Sequence, residues 1–136
     1  MAPSSQEIVD EMTARLALAL AASLMFVAVG LGAFGAHALK ARLAPDLLVV
    51  WNTGVQYHAW HALGLLAAGL WLLLRPDAPG VALAAWCFVA GIALFSGSLY
   101  ALALTGVRGL GAVTPAGGVA FLAGWAALVW AGWHSA

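Results

Sequence analysis

The sequence predicts an all-α fold, a polytopic membrane protein built as an antiparallel bundle of four transmembrane helices, and three observations predict it. First, 65% of the 136 residues are hydrophobic and only 7% are charged, where an ordinary soluble domain carries roughly a quarter charged residues. Second, the ten charged side chains fall into four short clusters, at Glu7 to Arg15, Lys40 to Asp46, Arg75 to Asp77, and Arg108. Third, each charge-free stretch that these clusters bound exceeds the ~20 residues a helix needs to cross a hydrocarbon core about 30 Å thick. A water-soluble domain of this length buries only about two thirds of its chain surface, so this much apolar surface calls for lipid.

The elements follow in order. Residues 1–13 form a polar N-terminal tail with a Pro-Ser-Ser run, turning helical near Gln6. A single membrane domain, 14–134, follows. Its first helix runs over about 14–39 and leaves the hydrocarbon at Lys40 and Arg42. This stretch is too long for a signal peptide, and three acids and one Arg precede it where a signal peptide has a basic region. Pro45 and Asp46 start a second helix, 46–74, which Arg75-Pro76-Asp77 ends. A third spans about 80–104 and stops at Thr105-Gly106. Thr114-Pro115 reads as N-cap and first helical residue of a fourth, 115–133. The short connections force antiparallel neighbours.

Small residues at four-residue spacing, such as Ala28, Gly32 and Ala36, or Ala93, Gly97 and Ala101, predict close helix contacts, the main source of association energy in lipid. Trp71, Trp86, Trp130 and Trp133 mark one membrane boundary and Trp51 the other, while Trp60 and Trp125 lie deeper and pack inside. Cys87 packs as a small apolar residue. Lys40, Arg42 and Arg108 on one side, against Arg15 and Arg75 on the other, put both termini outside the cytoplasm under the positive-inside rule. A net charge of zero with no basic patch excludes nucleic acid as a partner.

The polar residues collect in the half of the bundle where helices one and three end and helices two and four begin. They are His37, then Asn52, Gln56, Tyr57, His58 and His61 descending helix two, and Ser96, Ser98 and Tyr100 on helix three. On a wheel of ~100° per residue, Asn52, Thr53, Gln56, Tyr57, Trp60, His61 and Gly64 share one half of helix two, which is expected to face the bundle. His61 falls about 15 Å deep, near the midplane. Ionisable groups at that depth are candidate functional groups, and these nine residues are the candidate ligand-binding set. The plainer reading is structural: amides, hydroxyls and imidazoles also tie membrane helices together, and His37 can cap a helix end. No metal site is expected, because three histidines without a nearby acid or thiolate make poor zinc ligands. No catalytic motif surrounds Ser96 or Ser98, so the chain reads as non-enzymatic. No cofactor is predicted; haem held by His37 with His58 or His61 is the alternative.

Four segments taken together, LGAFGAHALK (31–40), WNTGVQYHAWHAL (51–63), LFSGSLYALALTG (94–106) and LGAVTPAGG with FLAGW through Trp125, resemble the domain of unknown function 423 family, which is related to eukaryotic transmembrane protein 256. The resemblance covers about residues 16–133. It implies a four-helix protein of the bacterial inner membrane and carries no activity over to named residues. Three functions remain in competition. A non-enzymatic binding or transport role would use the half-buried polar cluster. A structural or accessory subunit of a larger membrane complex, or a homo-oligomer, would follow from the small size and minimal loops. A haem- or quinone-binding redox protein would use the histidines.

Overall fold

The structure, a computed structural model, describes residues 2–135, apart from the side chains of Val9 and Met12. Four segments are long and apolar enough to cross a membrane. The first is α1 (Ser5–Phe34), which continues through a π-helical turn at Gly35–Leu39. The second is α2 (Pro45–Leu74). The third is α3 (Val81–Gly91), a second π-helical turn (Ile92–Ser96) and α4 (Gly97–Thr105). A short 3-10 turn at Arg108–Ala112 leads into α5 (Thr114–His134), the fourth.

Helix α1 starts within a residue of the helical turn expected near Gln6, and the cap of α5 differs from expectation, each for a local reason. Helix α1 begins at Ser5 because Ser4 and Glu7 form a capping box: the Glu7 amide donates to Ser4 Oγ at 3.2 Å, and the Ser4 amide donates to Glu7 Oε2 at 2.6 Å. The Glu11 to Arg15 pair, one turn apart, supports the same early start. Thr114 does not cap α5. Its hydroxyl lies 2.6 Å from Ser98 Oγ on α4, so a side chain suited to capping serves instead as a tie between helices. Pro45 sits in the first turn of α2 as expected, and Gly106 ends α4 with a φ of 71°, a conformation that favours glycine.

Helix α2 and the third segment form the centre of the bundle. Helix α1 lies along α2, and α5 lies along α3 and its π turn. The core runs through small residues, Ala14, Ala17 and Ala21 of α1 against Ala62, Leu65 and Ala68 of α2, and on to Ala84, Ala85 and Phe88 of α3. Close approach is greatest where α5 meets the π turn: a Cβ on Gly117 would collide with the backbone of Phe95. The spaced small-residue stripes are only partly right. Ala28, Gly64, Ala68 and Gly124 of such stripes are buried, whereas Ala36, Ala93 and Ala116 face outward, because close approaches are made also at Gly35, Gly54, Gly91 and Gly117, off the stripes.

Trp51 is not a boundary anchor. It is 2% exposed, and its indole N–H donates to the Leu31 carbonyl at 3.0 Å. Gly35 permits this: any Cβ there would strike the indole. Trp86, Trp130 and Trp133 are exposed, as boundary residues would be. Trp60 and Trp125 do not pack inside but stand 49% and 44% exposed.

Two exposed ion pairs close the ends. Arg108 meets Asp46 at 2.8 Å on the side of the first and third loops, and Arg75 meets Asp77 at 3.6 Å on the other. Pairs this exposed to solvent add little to stability.

Candidate functional site

The nine candidate residues do not form one cluster. Eight of them divide among a buried hydrogen-bonded layer, a lateral aromatic groove and an outward-facing stripe, and His37 stands apart.

The buried layer joins α2 to the third segment. Ser96, fully buried, donates to the Gly54 carbonyl at 2.7 Å. Ser98 donates to the Phe95 carbonyl at 2.9 Å and shares a hydrogen bond with Thr114. His58 Nδ1 lies 3.0 Å from the Tyr100 hydroxyl. The Leu24 backbone of α1 interacts with the His58 ring, yet Nε2 is buried without a partner of hydrogen-bond geometry. Tyr100 in turn packs its ring on Trp51, with centroids 4.8 Å apart. Apart from the Ser98 to Phe95 bond, which stays within the third segment, the hydrogen bonds are ties between helices, each worth about 0.5–2 kcal/mol in a membrane. Tyr100→Phe removes the hydroxyl partner of His58 and is expected to cost about 1 kcal/mol. Denaturant unfolding in detergent, run as a double-mutant cycle with His58→Leu, would measure this coupling.

The groove lies between α2 and α5, whose backbones stay apart while aromatic side chains bridge them. Tyr57 stacks on Phe95 with centroids 4.5 Å apart, and His61 stacks on Phe121 at 3.4 Å with rings 8° from parallel. Trp60 and Trp125 form its flanks, and Pro115 and Gly118 its end near the start of α5; it encloses about 550 Å³. His61 Nδ1 lies 2.7 Å from the Tyr57 carbonyl. A carbonyl can only accept, so Nδ1 carries the proton, and in a neutral ring Nε2 is left as a hydrogen-bond acceptor. Sequence reasoning missed Phe95, Phe121 and Thr114 as members of these layers. The aromatic run at Tyr57, Trp60 and His61 was the available signal, and without the fold nothing linked it to α5.

The outward stripe corrects the wheel expectation. Asn52, Gln56 and Trp60 face away from the bundle. The buried face of α2 is set by Trp51, Gly54, His58, His61, Ala62, Gly64, Leu65, Ala68, Gly69 and Leu72, so His61 and Gly64 of the expected half do lie inside, while the rest of that face follows how closely side chains fit and not their polarity. His37 is exposed on the π turn of α1 and belongs to none of the three groups. Among the described residues, no three His, Cys, Asp or Glu side chains come together in a way that could hold a metal ion.

Four apolar helices enclosing a tied polar layer define an integral, multi-pass membrane protein. Comparison with known proteins agrees and is more specific. The family described as Protein of unknown function (DUF423) matches residues 31–118, and the chain belongs to that family. It is 50% identical over 103 residues to the UPF0382 membrane protein YwdK of Bacillus subtilis, covering 76% of this chain and 84% of that one. It is 43% identical over 115 residues to the UPF0382 membrane protein SH2409 of Staphylococcus haemolyticus, covering 85% and 93%. It is 40% identical over 124 residues to the UPF0382 inner membrane protein YgdD of Escherichia coli K12, covering 87% and 89%. No solved structure matches.

Proposed function

We propose that the protein is a non-enzymatic binding protein of the bacterial inner membrane that takes a ring-bearing, lipid-soluble molecule into the groove between α2 and α5. The observation that carries this reading is the pairing of aromatic walls with one hydrogen-bond acceptor, His61 Nε2, close to the middle of α2. Flat rings pack well between Tyr57, Trp60, Phe121 and Trp125, and a hydroxyl or N–H on such a ring would donate to His61. Trp60, Val119, Leu122 and Trp125 on the rim are all exposed, so a ligand would enter sideways from the acyl chains.

Lys40, Arg42 and Arg108 then face the cytoplasm and both termini lie outside it. The terminal side carries four of the five acids, Glu7, Asp10, Glu11 and Asp77, beside its two arginines. The name of the Escherichia coli relative supports the inner membrane.

Native mass spectrometry of protein extracted gently from its own membrane tests the reading. The expected result is a reproducible retained mass of a lipid-soluble ring compound. His61→Phe keeps the stack on Phe121 while removing the acceptor, and should lower retention about tenfold. An empty groove in the unaltered protein, or equal retention by His61→Phe, would overturn the proposal.

A further inference from the structure

Helix α2 presents three faces, and two are occupied, one by α1 and one by the third segment. The third carries Val49, Thr53, Gln56, Trp60, Leu63, Ala67 and Leu70, all exposed apart from the partly buried Thr53. Their spacing alternates four and three residues over the length of the helix, the seam pattern of two helices packing side by side. Asn52 borders this seam beside Gly35 of α1.

The polar groups on outward faces of the spanning segments are not treated alike. Each of the hydroxyls of Ser23, Thr53 and Thr105 is turned back onto the carbonyl one turn earlier, at Ala19, Val49 and Ala101. The side-chain amides of Asn52 and Gln56 make no hydrogen bond among the described residues. Gln56 lies ten residues beyond Asp46, roughly 15 Å along the helix, and about a turn from the midpoint of α2. An amide left bare in hydrocarbon there costs several kcal/mol.

We infer that this seam is the interface of a homodimer, with α2 packed against α2 of a second copy about a two-fold axis normal to the membrane. Two copies inserted in the same orientation hold Gln56 at equal depth, so parallel packing brings the two Gln56 amides face to face. A carboxamide carries both donors and an acceptor and is its own complement. With the Thr53 hydroxyl turned back onto its own helix, Gln56 is the one seam residue whose polar group is left for the partner, and such a residue also sets register, which a uniformly apolar seam leaves loose. Trp60 belongs both to the seam and to the groove's rim, so the pairing covers the α2 side of that rim and leaves entry past Val119 and Leu122 of α5; the inference rests on the seam and not on the groove binding anything.

Disulfide cross-linking of the full chain in native membranes tests it. On a Cys87→Ala background, Val49→Cys, Leu63→Cys and Leu70→Cys should give cross-linked dimers of this chain, while Leu83→Cys and Val129→Cys, exposed on α3 and α5, should not. In liposomes, energy transfer between labelled copies diluted with lipid should show Gln56→Leu weakening the dimer about three- to twenty-fold. Equal cross-linking at the control positions, seam cross-links only to other polypeptides, or a monomer at every lipid ratio would overturn the interface. Unchanged or tighter association of Gln56→Leu would overturn the role of the amide pair. Retained mass in the groove, read separately, bears on ligand binding alone.

Discussion

Gly117→Val should leave little folded protein. At this position α5 begins its descent against the π turn of the third segment, and the nearest atoms to a new Cβ would be the backbone nitrogen and Cα of Phe95. A side chain in the way can rotate, but a helix backbone can yield only by moving the whole segment. That movement would pull Ser98 from Thr114 and disturb the Phe95 stack on Tyr57. Overpacking a tight contact costs about 1–3 kcal/mol where neighbours can adjust, and more where backbone blocks the way, so a loss of at least about 3 kcal/mol is expected. Thermal unfolding in detergent, with monodispersity by size exclusion, would show it. Gly30→Ala is the matched control: nothing lies within 4 Å of a Cβ at that position, and the substitution should be neutral or slightly stabilising.

Trp51→Ala should cost about 3–5 kcal/mol, the range for removing a fully buried large aromatic. The indole is among the largest completely buried side chains and touches Phe34, Tyr100 and the Leu31 carbonyl. Trp51→Phe separates packing from polarity. It retains most of the ring, removes the N–H donor, and should lose about 1 kcal/mol. If both variants unfold at the same denaturant concentration as the unaltered protein, Trp51 does not hold α1 to α2 as described.

How much was legible beforehand depends on the kind of force that sets each feature. Charge is excluded from hydrocarbon so strongly that Lys40, Asp46, Arg75 and Arg108 alone delimit the spans, and Pro45, Gly106 and Pro115 place their ends within a residue or two. Burial within the bundle was harder to read. The spanning helices are apolar all round, so no stripe of hydrophobicity marks an inner face. Polarity is then the remaining guide, and it groups Asn52 and Gln56 with His58 and His61. In the folded chain the inner face follows fit: Gly54 beneath Tyr100, Gly64 beneath Phe88, Gly69 beneath Leu18. Hydrogen bonds between distant segments, Ser96 to Gly54 or His58 to Tyr100, were legible only as residue types at similar depth. The groove was less legible still, since Tyr57 and His61 meet Phe121 across sixty residues of sequence.

The two π turns have a mechanical consequence. Each accommodates one surplus residue, with Lys40 donating to the Gly35 carbonyl and Gly97 to the Ile92 carbonyl, five positions back. Such a bulge can migrate along a helix by exchanging single hydrogen bonds one at a time, and each step turns the residues it passes through about 100°. The segment carrying Phe95, Ser96 and Ser98 therefore sits on a swivel, while α2, which it abuts, is an unbroken rod. Torsion of this third segment against α2 would have to give up the Ser96 to Gly54 and His58 to Tyr100 hydrogen bonds, so the tied layer is the latch that holds the swivel still.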